Sequence, residues 1–188
     1  EKYNFDYWKP VQSGKIIDND SDYIRKKIDF NDNTIHRPIY ELKKPLSPHL
    51  AAYYQKLSIN IKKIKKPKTF KPLIIEGAGG IFVPLNKNYL MIDLIKKFKL
   101  PVILVSKSVL GTINHTLMTM EILKKNKIEI FGVVLNKVKN KKEGDDNARS
   151  IESFGKTKVL AKIPYVKIIN KKKIKILSKQ KIFDAFKI

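Results

Sequence analysis

Glu76 stands directly before Gly77, Ala78, Gly79 and Gly80, in a stretch that reads LIIEGAGG over residues 73–80. Glycines at this density let a backbone turn sharply and approach a ligand closely, and successive N–H groups in such a turn form a nest for an anion. That signal alone also fits an ordinary tight turn after a strand. The carboxylate changes the reading. Beside a phosphate it repels unless a cation lies between, so Glu76 reads as a ligand of magnesium or of a magnesium-bound water. A second source of acid is DNDSDYI, with Asp18, Asp20 and Asp22, although acids also gather at helix starts for the helix dipole alone. Lys9, between Trp8 and Pro10 at the end of a short strand pattern, offers a point positive charge for a phosphoryl oxygen or a carboxylate. Phosphoryl transfer needs positioning and charge neutralisation more than covalent chemistry, so lysine, magnesium and backbone amides suffice for it. His49 in SPHLAA and His115 in INHTL fit helix N-terminal packing as well as catalysis, and their separation gives no metal-ligand spacing.

These side chains must be carried by regular elements, and the pattern supplies them. PLIIE (72–76), LPVILVS (100–106) and EIFGVVLN (129–136) are short aliphatic runs of the kind that form parallel strands buried on both faces. Between them MIDLIKKFK (91–99) and TINHTLMTMEILKKNK (112–127) repeat apolar residues at helical spacing, the second with Gly111 or Thr112 at its N-cap. Alternation of strand and helix predicts an α/β fold with a mostly parallel sheet flanked by helices, right-handed crossovers, and ligands at the carboxyl ends of the strands. The loops EGAGG, SKSVLG (106–111) and NKVKNKKEG (136–144) all fall on that edge. DYWKPVQSG (6–14) reads as a further short strand running into a polar turn, and IKKIKKPKTFKP (61–72) as a short helix and a linker. The tail NKKKIKILSKQKIFDAFKI has weak helical periodicity, predicting a helix packed on an edge.

The chain of 188 residues is long enough for one domain with a full core, and 1–188 is expected to form a single unit. No apolar run reaches the ~18 residues of a membrane span and the N-terminus carries no secretory pattern, predicting a soluble, cytoplasmic protein without a membrane partner. The absence of cysteine excludes disulfides, thiolate metal sites and a Cys nucleophile. Lys and Arg number 40 against 17 Asp and Glu, a net charge of +23, which invites a nucleic-acid reading. Only Arg25, Arg37 and Arg149 are arginine, the residue favoured for bidentate base recognition, and the lysines are spread along the whole chain. Solvated lysine faces are the better reading, with no specific nucleic-acid partner.

Taken in order, YWKPVQSG, DSDYI, LSPHLAA, IIEGAGGIFVPLN, MIDLI, LPVILVSKSVLGTINHTL, GVVLNK, NARSIESFG and VLAKIPY resemble the dethiobiotin synthetases, over about residues 6–165, with 170–188 a lysine-rich tail. Single motifs among these also fit cobyrinic acid amidases and MinD-like ATPases of the same P-loop superfamily; EGAGG followed by VPL, together with KPVxSG and GTINH, is specific to the first. The resemblance implies a P-loop NTPase-like (SIMIBI-type) three-layer sandwich. It also implies ATP-dependent carboxylation and ring closure of diaminononanoate with CO2 or bicarbonate, with magnesium, in a homodimer. Position by position, it implies that Lys9 holds the carbamate and the transferring phosphoryl group and that Ser13 contacts the substrate. Asp22 and Glu76 match the magnesium-coordinating acids, and Gly77, Ala78, Gly79 and Gly80 the loop near the phosphates. Gly111, Thr112 and Asn114 match the stretch that meets the substrate carboxylate across the dimer interface; Asn136 and Pro164 match positions around the adenine.

The family also carries a GTDTGVGKT-like phosphate loop after its first strand, and these 188 residues contain no such stretch. EKYNFDYWKPV at the start resembles the end of the first helix running into the second strand. The resemblance therefore implies a chain without the first strand, phosphate loop and first helix. Such a chain is expected to be inactive and poorly stable by itself, with a non-catalytic remnant as the alternative.

Overall fold

The structure is a computed structural model that describes residues 4–15, 19–28 and 34–179. The chain divides into two compact units, residues 1–98 and 99–188.

In the first unit β1 (Asp6–Trp8) is the middle strand of a parallel sheet, between β3 (Ile35–His36) and β5 (Leu73–Ile75). Tyr7 is opposite Ile35 on one side and Ile74 on the other; Trp8 is opposite His36 and Ile75. Pro10 interrupts the strand because it has no N–H to give to a ladder. The chain resumes as β2 (Val11–Ser13), paired in parallel with β4 (Tyr40–Leu42), while the Pro10 carbonyl accepts from the N–H groups of Ile39 and Tyr40. The one short strand expected within residues 6–14 is thus two, with a change of partner strand at Pro10. Helix α1 (Asp20–Lys27) follows β2, with Asn19 Oδ1 capping the Asp22 N–H at 3.2 Å, and α2 (Pro48–Tyr54) starts with proline in its first turn. The stretch 61–72 forms a single 3-10 turn, Ile61–Lys63, capped by the Asn60 side chain. Helix α3 (Met91–Phe98) closes the unit. Its Met91 and Leu94 join Trp8, Val11, Leu42, Ala51, Ile59, Ile64 and Leu85 in one apolar core. Trp8 is its centre, its ring tilted against Phe98 at 5.8 Å and its indole N–H donating to the Arg37 carbonyl at 3.1 Å.

In the second unit β6 (Val102–Lys107), β7 (Ile130–Val138) and β8 (Val159–Pro164) form a parallel sheet in that order, connected by α4 (Thr112–Lys125) and α5 (Lys141–Gly155). Helix α6 (Lys171–Ser178) follows, with no buried residue. Successive crossovers of one hand that step along the sheet in one direction bring both helices to the same face. Met120, Ala148 and Ile151 accordingly pack over Val133 and Leu135, with Leu104 and Leu117 at the margin. Burial of all three aliphatic runs on both faces holds only for the middle of β7; β6 alternates, and Val105, on its other face, is 67 % exposed. Among the described residues no helix is long and apolar enough to cross a membrane.

Candidate active site

The parallel strands β1 and β5 end together, so the residues that leave them meet at one edge of the first unit. Lys9 is the first residue past β1, and Glu76 the first past β5. The Glu76 N–H donates to the Trp8 carbonyl at 2.9 Å, extending the ladder by one rung and setting Glu76 opposite Lys9. Lys9 Nζ then donates to Glu76 Oε1 at 2.8 Å and to Asp20 Oδ2 at 2.6 Å. Asp20 is brought there by the start of α1, where the buried Gln12 accepts the Asp20 N–H at 3.2 Å through Oε1. The second oxygen of Glu76 accepts from the Tyr7 hydroxyl at 2.6 Å.

Electrostatics explain how a lysine can stay here. Only 7 % of Lys9 is exposed, and burial pushes its pKa down; the hydrogen bonds and negative charges of Asp20 and Glu76 outweigh this and hold it above the ordinary lysine value. The two acids are themselves about two-fifths exposed, so they present oxygens to the edge where a ligand arrives. One ammonium between two carboxylates leaves a net negative charge, which favours a further cation. Among the described residues no three His, Cys, Asp or Glu side chains close on one point. The protein could therefore offer two carboxylates, a donor set that fits magnesium, which takes one or two carboxylates and completes its shell with water and phosphate oxygens.

The glycine loop follows at once. Gly79 has φ +78°, and a Cβ there would lie 2.8 Å from Val83 Cγ2; Gly80 has open space where its Cβ would be. Among the described residues the N–H groups of Gly77, Ala78, Gly79 and Gly80 have no protein acceptor, and Ala78 is buried. The loop is closed by the Val83 N–H on the Gly80 carbonyl at 3.0 Å.

Ser13 ends β2, with its Oγ buried and unpaired. Asp22 is two residues beyond Asp20 on α1; its carboxylate pairs with Arg25 at 2.8 Å, and Lys9 does not reach it. Asp18 lies outside the described residues. In the second unit Gly111 (φ +89°) caps α4, Thr112 is buried with an unpaired Oγ1, and Asn114 is exposed one half-turn on. Asn136 approaches the end of β7, its carbonyl accepting from the Ser108 N–H, and Pro164 ends β8 opposite Val138. Ser13, Asn136 and Pro164 thus lie at or near the carboxyl ends of their strands, and Gly111 follows the carboxyl end of β6. Asp20 and Tyr7 are the residues that sequence reasoning did not assign to the site. Asp20 was one of three candidate acids; Tyr7 gave no signal, since its partner is 69 residues away.

A family model described as an AAA domain matches residues 1–173. The chain is 47 % identical over 167 residues to the ATP-dependent dethiobiotin synthetase of Lawsonia intracellularis, a match covering 89 % of this chain and 78 % of that one. It is 42 % identical to the enzyme of the same name from Paramagnetospirillum magneticum, covering 87 % and 77 %. The biotin biosynthesis bifunctional protein of Bordetella avium is 39 % identical, with 93 % of this chain matching 37 % of that protein.

Proposed function

The chain belongs to the dethiobiotin synthetase family, ATP-dependent ligases of biotin biosynthesis, and from that premise we propose that its own reaction is closure of a ureido ring on diaminononanoate. One amine adds to CO2 and loses a proton, giving a carbamate. A carbamate oxygen attacks the γ-phosphorus of ATP and ADP leaves. The second amine then attacks the carbonyl of the mixed anhydride and phosphate departs, leaving dethiobiotin. The observation that carries this reading is the buried Lys9 ammonium held at 2.6 and 2.8 Å by two carboxylates, one of which, Glu76, directly precedes a glycine loop with free N–H groups.

Lys9 orients the carbamate and neutralises charge on the oxygens that meet during phosphoryl transfer. Gly77, Ala78, Gly79 and Gly80 supply backbone donors and close approach for phosphate and substrate. Bound magnesium would neutralise phosphate charge, and Glu76 with one acid from the first turn of α1 would hold it. The resemblance matches Asp22 to that acid, whereas the geometry brings Asp20 to the site. Ser13 contacts the substrate through its unpaired hydroxyl. Gly111, Thr112 and Asn114 receive the substrate carboxylate in a homodimer, a reading supported by the exposed apolar Val109, Leu110 and Met118 around them. Asn136 and Pro164 border the adenine.

The test is conversion of diaminononanoate, bicarbonate and ATP to dethiobiotin, followed by mass spectrometry. It is run on the 188-residue chain and on a form extended before Glu1 by a family segment carrying the phosphate loop. Ring closure in the extended form that Lys9→Gln abolishes supports the reading. No dethiobiotin from either form overturns it.

A further inference from the structure

Tyr7 on β1 and Lys9, the first residue past it, are two residues apart and project to the same face of the sheet. Tyr7 is opposite Ile74, and two residues further on Lys9 is opposite Glu76, so Glu76 rises on the same face beside both. The two side chains then take one carboxylate oxygen each: Tyr7 donates to Oε2 at 2.6 Å and Lys9 to Oε1 at 2.8 Å. Tyr7 is buried, with 7 % exposure, whereas Glu76 is open to the strand edge. A buried tyrosine usually finds some partner for its hydroxyl, and most often a carbonyl or water would do. Here the partner is the acid of the site itself.

We propose that Tyr7 is a positioning residue for Glu76, tying down Oε2 so that the carboxylate presents Oε1 alone to Lys9 and to a bound cation. This rests on the reading of Glu76 as a magnesium ligand. A carboxylate on a flexible two-carbon stem can rotate or bind a cation through both oxygens; with one oxygen held from within the sheet, it offers one, in a fixed direction. Magnesium demands near-ideal octahedral geometry and tolerates a wandering ligand poorly, so fixing the ligand should raise affinity.

The experiment titrates the 188-residue chain with Mn2+ alone, followed by water-proton relaxation, for the unmodified chain, Tyr7→Phe, Glu76→Gln and the double variant. Tyr7→Phe should raise the half-saturating Mn2+ concentration about tenfold, the lower end of what is lost with an outer-shell partner. In the Glu76→Gln background the same change should have no further effect, which a merely structural role of the ring would not produce. If Glu76→Gln weakens Mn2+ binding and Tyr7→Phe does not, Tyr7 has no positioning role and the reading of Glu76 stands. If Glu76→Gln changes nothing, Glu76 is not a cation ligand and both fall. A second readout needs no change at Tyr7: its hydroxyl proton should give a slowly exchanging low-field NMR signal that Glu76→Ala removes and Mg2+ shifts. A signal indifferent to both overturns the proposal.

Discussion

Lys9 and Glu76 face each other across the end of the β1–β5 ladder, ammonium to carboxylate at 2.8 Å, because the Glu76 N–H still pairs with the Trp8 carbonyl. The ion pair is thus set by strand register and not by loop geometry. A register fixed by the sheet's apolar face is hard to slip, since a shift of one residue would turn Trp8 out of the core.

Replacing Lys9 should therefore cost chemistry more than fold. Lys9→Gln is expected to lower kcat/KM for ring closure by about 100-fold or more, the scale lost with one preorganised electrostatic group. Lys9→Arg should not restore it, because a planar fork cannot occupy the place of a point charge between Asp20 and Glu76. Steady-state kinetics beside a thermal melt decide this; recovery of most activity by Lys9→Arg would show that any cation serves.

Asp20 and Asp22 make opposite predictions for the magnesium ligand. Asp20 Oδ2 is 2.6 Å from Lys9 Nζ, whereas Asp22 pairs with Arg25 on the surface of α1, half exposed. Asp20→Asn should weaken divalent-cation binding by about tenfold. Asp22→Asn should leave it within about twofold and cost only the few tenths of a kcal/mol of an exposed helix pair. Calorimetric titration with Mg2+ and ATP measures both, and the reverse ranking would give the role to Asp22.

How much of this was legible follows from where each signal lives. The strands and helices from Leu73 to Lys125 were readable because their periods are local, as was the edge on which the loops fall. Glu76 stood out because a carboxylate beside a glycine nest for phosphate needs a cation, and Lys9 because a charge at the end of a strand pattern is costly without a purpose. Which acid of Asp18, Asp20 and Asp22 meets Lys9 was not readable. It depends on the residue at which α1 begins, and Asn19 and Gln12 set that through two hydrogen bonds that no pattern announces. Tyr7 looked like any core aromatic, and only the register of β5 supplies its partner. The exposed face of β6 could not be read from VILVSK, since an aliphatic run has the same sequence whether one face or both are covered.

Acid stability should depend on Asp6, at the other end of β1. Its Oδ2 accepts from Thr69 Oγ1 at 2.5 Å and lies 2.9 Å from His36 Nε2, with Lys71 Nζ 3.9 Å from Oδ1. Burial pushes this carboxyl's pKa up, but hydrogen bonds from Thr69 and His36 and the charges of His36 and Lys71 bring it below the ordinary value. A folded pKa below the unfolded one, about 3.9, contributes stability that is present above the unfolded value and lost as pH falls through the folded one. Asp6→Asn should thus cost roughly 2 kcal/mol at pH 7, the scale of hydrogen bonds to a charged group, and progressively less below about pH 4. Urea unfolding of both chains at a series of pH values tests this. A difference that stays constant down to pH 2 would show that shape, not charge, is what Asp6 provides.

The glycine loop permits a cleaner separation of structure from ligand, because Gly79 and Gly80 differ in what surrounds them. Gly79 sits at φ +78°, where an L-residue loses about 1–2 kcal/mol, and its added Cβ would stand 2.8 Å from a methyl of Val83, a side chain stiff at χ1. Gly79→Ala should therefore lower the melting temperature by several degrees and reduce activity through misfolding of the loop. At Gly80 the backbone is outside the left-handed region and no atom lies within 4 Å of the added Cβ. Gly80→Ala should leave stability within about 0.5 kcal/mol of the parent, as an unhindered surface change does. If the open space at Gly80 is where phosphate or diamine approaches the backbone, the same methyl should reduce ring closure about tenfold or more by displacing the reactants. A Gly80→Ala chain with unchanged melting and unchanged turnover would mean that the space admits only solvent, and the cradle would then have to lie nearer Gly77 and Ala78.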